Sequence, residues 1–472
     1  MHDRFITAVG GYLPLLRFER SAGVKALRSF GIGGRGVGYR TVAGWDEDAL
    51  TLAVEAGRGL SPAECLVFAS TSAPFIERAH APLAIDALAW PRATRSNDTA
   101  GSRRCAVAAL LNGLLSAGTT TVIAGEKRRA LPGAPAHLGF GDGGAAVAVG
   151  DSGPARLIGH ASLAHDLLDL YASQTHPLPY SYEDRFVRET AASEVLIPTI
   201  RYACAAAGID PARIAHAAVH EPLAGMWKDL SRHLGIDAPN HASALEAAAG
   251  DLGSAHALYA FALACNAASA GDIILLAGFG SGCDALLFEL SDRLPGAAEA
   301  AASLRNGLFT SDYPRFLALT GNLELDFGVR AEFEQKAQAT VLERHGRDTM
   351  GFIGGRDASG NVQFPKSRIP VRPGSMGPEQ LVDARLAELP GRILSVTADR
   401  LNYTPDPPFW FGLVQFENGA RVLMELTDAA PSGFAVGDQV QMRFRIKSLD
   451  QRRGMRTYFW KAAPTARPEL EI

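Results

Sequence analysis

The sequence predicts an α/β chain of two related halves, followed by a small all-β barrel. Three observations predict it. First, Ser116-Ala-Gly-Thr-Thr-Thr-Val-Ile-Ala-Gly125 matches Ser269-Ala-Gly-Asp-Ile-Ile-Leu-Leu-Ala-Gly278 at five of ten positions. Each copy follows an Ala/Leu-rich helical run and opens an apolar strand bounded by turn residues, the pattern of a strand buried on both faces. The Gly after each helix fits a C′ position, where a left-handed conformation suits Gly alone. Second, at the same offset Asp98-Thr-Ala-Gly-Ser102 pairs with Asp251-Leu-Gly-Ser254, which would set an Asp just ahead of each helix. Self-similarity at one offset reads as duplication about a pseudo-twofold, against chance agreement in an Ala/Gly-rich chain. Third, strands and helices alternate up to about residue 295, then give way to short strands.

Along the chain, Phe5 to Tyr12 is a short apolar strand. Trp45-Asp-Glu-Asp48 precedes an Ala/Leu/Val run to Gly57, and acidic residues ahead of such a run mark a helix N-terminus. Cys65 to Ser70 is a buried strand ending in hydroxyl residues. A helix from about Gly101 and a strand from Thr119 to Gly125 follow. Gly139-Phe-Gly-Asp-Gly-Gly144 is a loop feeding the strand Ala145 to Val149. An amphipathic helix runs from Ala191 to about Gly208, and Ala217 to Val219 is a strand ending at His220. Asp272 to Ala277 and Asp284 to Glu289 close the α/β block. Ala297 to Arg344 is mostly helical, and Gly351 to Gly377 is rich in Gly, Pro and Arg. From about Gly391 strands are punctuated by Pro405-Asp-Pro-Pro408, Asn418-Gly419, Pro431 and Gly437-Asp438, the spacing of a small barrel. The expected divisions are an N-terminal half at 1–155, a second half at 156–295, a helical connector at 296–350, a ribbon-like segment at 351–377 and a barrel domain at 378–472.

Composition narrows the class. At 472 residues the chain exceeds one compact core. Hydrophobic content of 47%, charge of 20% and a net charge of −4 are ordinary for a globular protein and suggest neither a nucleic-acid surface nor a basic membrane face. No apolar stretch approaches a bilayer span, and the N-terminus lacks a signal-peptide pattern, so a cytoplasmic protein is expected. Cys65, Cys105, Cys204, Cys265 and Cys283 are an odd, scattered set, which argues against disulfides and a structural zinc site.

Three stretches carry a resemblance: Phe140-Gly-Asp-Gly-Gly-Ala-Ala146, Val219-His-Glu-Pro222 and Ile274-Leu-Leu-Ala-Gly-Phe-Gly-Ser-Gly282. Together they resemble the thiolase superfamily, most of all the 3-hydroxy-3-methylglutaryl-CoA synthase and ketoacyl-ACP synthase III branch. Gly11-Tyr-Leu-Pro14 and Trp45-Asp-Glu-Asp48 fit that branch too. Val362-Gln-Phe-Pro365, Gly412 to Gly419 and Tyr458-Phe-Trp-Lys461 resemble the zinc-ribbon plus OB-fold acyl-CoA-associated domain found with such enzymes. The resemblance implies a thiolase fold, layered αβαβα, followed by an OB-fold barrel. It implies an acyl-CoA thioester as substrate, no cofactor beyond that coenzyme A, a thiolase-like protein partner and a homodimer formed through the strand Thr119 to Gly125.

In the family a Cys at a helix N-terminus takes the acyl group, where the helix end lowers the thiol pKa and offers N–H donors to an oxyanion. Here the family spacing lands on Gly101, beside Ser102. Cys105 lies four residues on, about 6 Å along the helix. It is either a small buried thiol or, after a local gap, the nucleophile. His220 falls at the family's catalytic His, with Glu221 where Gln is usual; a hydrogen-bonded core His is the alternative. Asp251 stands at the family's Asn, as base, protonated donor or helix cap. Thr71 replaces the synthase's acidic residue. Gly280, Ser281 and Gly282 form the Gly-rich loop near the site, and backbone N–H groups near Gly101 and Ser281 are expected to hold the oxyanion. Tyr180, Tyr182 and Arg185 lie in the segment covering the pocket, and Trp410, Tyr458 and Trp460 read as barrel core. Around Arg356, Ser359, Pro370 and Ser375 the ribbon lacks Cys, so no sulfur site for zinc is expected and packing alone would hold it. The implied activity is making or breaking a C–C bond on an acyl-CoA without a covalent intermediate. The alternatives are a Cys105-dependent acyltransferase or 3-oxoacyl synthase, and a catalytically silent acyl-CoA-binding scaffold.

Overall fold

The duplication is visible as a continuous nine-stranded sheet. The computed structural model describes residues 3–33, 36–326, 339–374, 377–450 and 452–467. The sheet strands are β1 Phe5–Tyr12, β2 Cys65–Ala69, β3 Arg95–Thr99, β4 Thr120–Glu126, β5 Gly143–Gly150, β6 Ala155–Ala164, β7 Ile214–Val219, β8 Ile273–Phe279 and β9 Gly282–Leu290. Their order is β7-β8-β9-β6-β1-β5-β4-β2-β3. The repeated segments Ser116–Gly125 and Ser269–Gly278 supply β4 and β8, each parallel to its outer neighbour, β2 or β7, and antiparallel to its inner one, β5 or β9. The halves join where β1 and β6 pair antiparallel through Phe5↔Arg156 and Ile6↔Ala155. The strand β3 has no counterpart in the second half.

Side-chain alternation along each strand sorts the layers. In the first half Val67, Val122, Ala124 and Val147 face a core that contains the helices α2 (Cys105–Leu115) and α5 (His256–Ala267). Their neighbours Leu66, Phe68, Ile123 and Ala146 face α1 (Ala49–Gly57) on the other side. In the second half Ile274, Leu276, Leu286 and Phe288 join the central core, while Ile273, Leu275, Ala285 and Leu287 face α3 (Ile197–Ala207) and α4 (Trp227–Leu234). The result is the five-layered αβαβα thiolase fold.

Helix α1 lies on the sheet at backbone contact. A Cβ on Gly10, Gly125 or Gly144 would stand 2.0, 1.9 or 2.2 Å from the carbonyl oxygens of Ala56, Ala49 and Leu52. Three adjacent strands thus each need a missing side chain. Asp48 starts α1 with a capping box, accepting from Leu50 and Thr51 N–H groups while the Asp48 N–H donates to Thr51 Oγ1.

Several expectations change. The strand Thr120–Glu126 has β2 on one side and β5 on the other, so both its edges are used and it cannot pair across a dimer. Gly118 and Gly271 are left-handed (φ +82° and +93°), but they sit in the turns beyond the helix caps Ser116 and Ala268. Asp98 caps no α2: its carboxylate accepts from the N–H groups of His80 and Ala81 and pairs with His80 Nδ1 at 2.7 Å. The expected connector begins as core: Ala297–Arg305 packs beneath β1, with Tyr259 Oη donating to Ala300 O at 2.8 Å.

The ribbon segment is held by polar contacts as well as packing. Gln363 bonds Ser367 Oγ, Ile369 O and Val371 N–H. Asp357 accepts from Ser359 and Asn361, and Arg372 bridges Ser359 and Glu379. Ser375 lies outside the described residues.

The C-terminal barrel comprises β10 Gly391–Asp399, β11 Phe409–Phe416, β12 Arg421–Glu425, β13 Gln439–Asp450 and β14 Met455–Pro464. The sheet order β12-β11-β10-β13-β14 closes through a parallel bridge, Leu426↔Ala462. This 1-2-3-5-4-1 circuit is OB connectivity. Trp460 and Phe444 share one apolar cluster with Leu50, Ala53 and Phe68, so the barrel is seated on the outer face of α1. Charges line the same seam: Arg445 meets Glu47 and Asp428, Lys461 meets Asp46 and Glu425, and Arg456 meets Asp48.

Replacing Gly125 by Ala is expected to destabilise the fold by about 2–4 kcal/mol, because the Cβ meets helix backbone that cannot rotate away. Denaturant titration of Gly125→Ala beside Gly139→Ala, whose Cβ meets nothing within 4 Å and whose backbone is not left-handed, checks it. Equal midpoints would refute the contact argument.

Candidate functional site

Four chain ends converge at one carboxylate. Strand β7 ends at Val219 and presents His220, whose N–H bonds Ala277 O of β8 at 3.0 Å. Asp251 is clamped by the Gly139–Gly141 loop from the other half: Gly141 N–H donates to Asp251 O and Asp251 N–H donates to Gly139 O, both at 2.9 Å. A Cβ on Gly141 would stand 2.1 Å from Ala249 O. The Gly-rich motif after Gly139 is therefore what lets the two halves meet here.

Asp251 Oδ1 lies 2.9 Å from His220 Nε2 and accepts from Gly253 N–H at 2.8 Å. Its Oδ2 accepts from Arg128 Nη1 at 3.1 Å and Arg103 Nη1 at 3.3 Å. Burial pushes this carboxyl up, but His220, Arg128 and Arg103 outweigh it and hold it well below the usual range. Asp251 is therefore an acceptor, and His220 Nε2 must carry the proton. His220 Nδ1 is buried and without a hydrogen-bond partner. Asp251 thus both holds the Gly253 N–H and orients an imidazole.

His256 stacks on His220 at 4.6 Å between centroids. Its Nδ1 accepts from Leu252 N–H and its Nε2 donates to Ala242 O. Burial, with His220 beside it, lowers it to about 3, so it stays neutral. His220, Asp251 and His256 offer ligand atoms within 4.8 Å of one another. A cation there would take one His256 nitrogen from its hydrogen bond and face two guanidinium groups, so the donor set fits a hydrogen-bonded dyad better than a metal.

A cavity of about 360 Å3 opens beside the dyad. Arg20, Arg103, Asp169, Arg188 and Asp251 are polar members of its wall, and Val24, Leu27, Phe140 and Leu223 are apolar ones. A chamber of about 40 Å3 touching His220 shares Pro222, Ala224, Glu246 and Asp251 with it. Arg103 also pairs with Asp169, which carries the hairpin Leu170–Tyr171 and Tyr180–Ser181.

Gly101 and Ser102 lie in the turn before α2, and Gly101 is left-handed (φ +100°). Ser102 Oγ donates to Gly280 O at 3.1 Å. Gly280 N–H is used by Gly282 O, and Ser281 holds φ +49°, a strained value for a non-glycine residue. None of Gly101, Ser102, Gly280, Ser281 or Gly282 lines the larger cavity. Cys105 is buried, and burial and Glu126 push its thiol up to about 12. Glu126 in turn accepts from Thr71 N–H and Oγ1, Ser72 Oγ, and Ser254 N–H and Oγ. Glu221 turns away and accepts from Trp227 N–H, with Asn240 and Ser243 on its other oxygen.

Sequence reasoning did not single out Arg103, Arg128, His256 or Glu126. The one available signal was the Arg103-Arg104 pair beside the nucleophile position, in a helix start where cations are unfavourable.

No family model matches the chain. It is 26% identical over 315 residues to a hydroxymethylglutaryl-CoA synthase of Aeropyrum pernix, covering 63% of this chain and 84% of that protein. It is 31% identical over 136 residues to a DUF35 domain-containing scaffold protein of Pyrococcus furiosus, covering 28% of this chain and 96% of that protein. It superimposes on the crystal structure of HMG-CoA synthase complexed with CoA with a TM-score of 0.55 at 17% identity, covering 71% of this chain and 95% of that one. Fold and similarities define a thiolase-superfamily chain of the HMG-CoA-synthase-like kind. More particularly, the chain belongs to the DUF35 domain family through its C-terminal part. Among the described residues no helix is long and apolar enough to cross a membrane.

A thiol at about 12 is thiolate in roughly one molecule in ten thousand at pH 8. Iodoacetamide is expected to label half-buried Cys65 in the native protein and Cys105 only after denaturation, as read by peptide mass. Rapid native labelling of Cys105 would show a reactive thiol.

Proposed function

We propose that this protein makes or breaks a C–C bond on an acyl-CoA thioester without an acyl-cysteine intermediate. The observation that carries the proposal is the His220–Asp251 dyad, with Arg103 beside it and Gly101-Ser102 at the nucleophile position. An ionised carboxylate on Nε2–H orients the imidazole and makes Nδ1 the basic atom, the arrangement of a general base.

In the cleavage direction Nδ1 takes the hydroxyl proton of a 3-hydroxyacyl thioester. The C2–C3 bond breaks, a carbonyl product leaves, and the electron pair stays on the thioester as an enolate. Arg103 is placed to hold that oxyanion in place of backbone N–H groups. The proton on His220 then returns to C2. The condensing direction runs the same steps in reverse. The mixed cationic and apolar wall suits a phosphate-bearing thioester, and no cofactor beyond its coenzyme A is invoked. We place the protein in the cytoplasm as a homodimer beside a thiolase-like partner; the relatives named scaffold proteins support the partner alone.

A silent scaffold is the second reading, favoured by one observation: Arg103 already bridges Asp169 and Asp251.

Intact mass after exposure to acetyl-CoA and longer acyl-CoAs, with thioester turnover in parallel, tests the proposal. No adduct is expected, Cys105→Ala should keep its rate, and His220→Ala should lose about 100-fold or more. An acyl adduct absent from Cys105→Ala would overturn the non-covalent route. Acyl-CoA binding without turnover would establish the scaffold.

A further inference from the structure

A second cavity, of about 490 Å3, lies at the seam between the barrel and the α/β unit. That is the size of a small-ligand site. The barrel wall comes from the loop between β10 and β11 (Asn402 to Pro405, with Phe409) and from Ile446 to Leu449 and Arg456, on either side of the β13–β14 hairpin. In an OB barrel those two loops frame the ligand-binding face. The facing wall is the run Lys127-Arg128-Arg129 at the end of β4, with Trp45.

The charges do not cancel. The four carboxylates of the wall each have a cation: Glu47 with Arg445, Asp48 with Arg456, Asp142 with Arg40, and Glu425 with Lys447 and Lys461. Arg128 is paired with Asp251. Lys127 and Arg129 have no ion-pair partner among the described residues. Lys127 donates to the carbonyl oxygens of Gly44 and Glu47, and Arg129 donates through Nε to Asn322 Oδ1. Burial pushes Lys127 down, although Asp142, Glu47 and Asp48 nearby act against it. Two cations without a direct ion pair thus face a cavity whose wall carries Trp45, Tyr403 and Phe409. Diphosphate oxygens would answer the cations, and a planar base would answer the aromatic rims.

We propose that this seam cavity binds a ligand of the nucleoside diphosphate class and that its occupancy is felt at the dyad through Arg128. Arg128 lines the seam cavity while its Nη1 holds Asp251 Oδ2, the atom that Arg103 holds from the other cavity. An anion beside Arg128 competes for that guanidinium and alters the field on His220.

The test is calorimetric titration of the full chain with ADP, with adenosine and pyrophosphate as partial probes, and histidine ring spectra of His220 recorded alongside. ADP is expected to bind more tightly than either fragment and to shift the His220 signal. Arg129→Ala, an exposed position, should weaken ADP about tenfold and remove the shift, and Tyr403→Ala should weaken it likewise. CoA titrated in parallel identifies the source: equal weakening of CoA and ADP by Arg129→Ala assigns the head group of a thioester, and weakening of ADP alone assigns a free nucleotide. No ADP binding at millimolar concentration, or binding untouched by Arg129→Ala but lost in Arg20→Ala, would overturn the proposal. The readouts need no turnover, so His220→Ala should still bind ADP even if the proposed chemistry fails.

Discussion

The acidic run Asp46-Glu47-Asp48 is the joint on which both parts of the molecule hang. Asp48 caps α1, the helix whose backbone rests on three sheet glycines, and its other oxygen takes Arg456 and Tyr458 from the barrel. Glu47 takes Tyr12 of β1 and Arg445 of β13, and Asp46 takes Lys461 of β14. Buried ion pairs contribute little net stability, because desolvation offsets attraction, but leaving one partner alone costs about 3–5 kcal/mol. The run therefore enforces one seating of the barrel more than it strengthens it. A slipped barrel would strand Arg445 and Lys461, both almost fully buried.

The same reasoning governs the site. An Asp in place of an Asn would be costly beside a buried imidazole unless something balanced its charge. Arg103 and Arg128 do so, from opposite sides. Once they hold the carboxylate ionised, Asp251 cannot donate, and it becomes the orienter of His220 rather than an oxyanion donor. In the proposed reading, Gly101-Ser102 at the nucleophile position and the two arginines on Asp251 act together. A guanidinium can carry an oxyanion in place of a helix end, and an ionised Asp on Nε2–H leaves Nδ1 as the accepting atom of the neighbouring imidazole.

Much of the fold was legible because burial writes itself into composition. Strands buried on both faces must be apolar throughout, so β4 and β8 stood out as repeats, and Asn418-Gly419 marked its hairpin. The glycines of Gly139 to Gly144 were legible as a loop, though only the structure shows why they are glycine: Gly141 passes against Ala249 O. His220 and Asp251 could be located because motif and offset each named one position. Arg103, Arg128 and His256 could not. Their roles arise from distances between the two halves, and a lone Arg or His has no spacing signature. Thr120–Glu126 misled as a dimer strand because an apolar strand looks the same whether its edges are free or taken; only the sheet order tells. Asp98 misled because a capping residue is recognised by which helix start is near in space, and here that is Ala81 rather than Cys105.

One carboxylate oxygen, Asp251 Oδ2, sits between two guanidinium groups that belong to different cavities. This gives the joined architecture a physical consequence. If the barrel were merely appended, its removal would leave the dyad's charges as they are. Instead the barrel covers the seam whose basic run includes Arg128, and Arg128 holds Asp251. Interaction between charges this close and this dry is strong and poorly screened by salt. Any change in charge at the seam is therefore transmitted to His220 without a conformational pathway. A shared anion is held from both sides, and that linkage is reciprocal: what binds beside Arg103 must also alter the affinity of what binds beside Arg128.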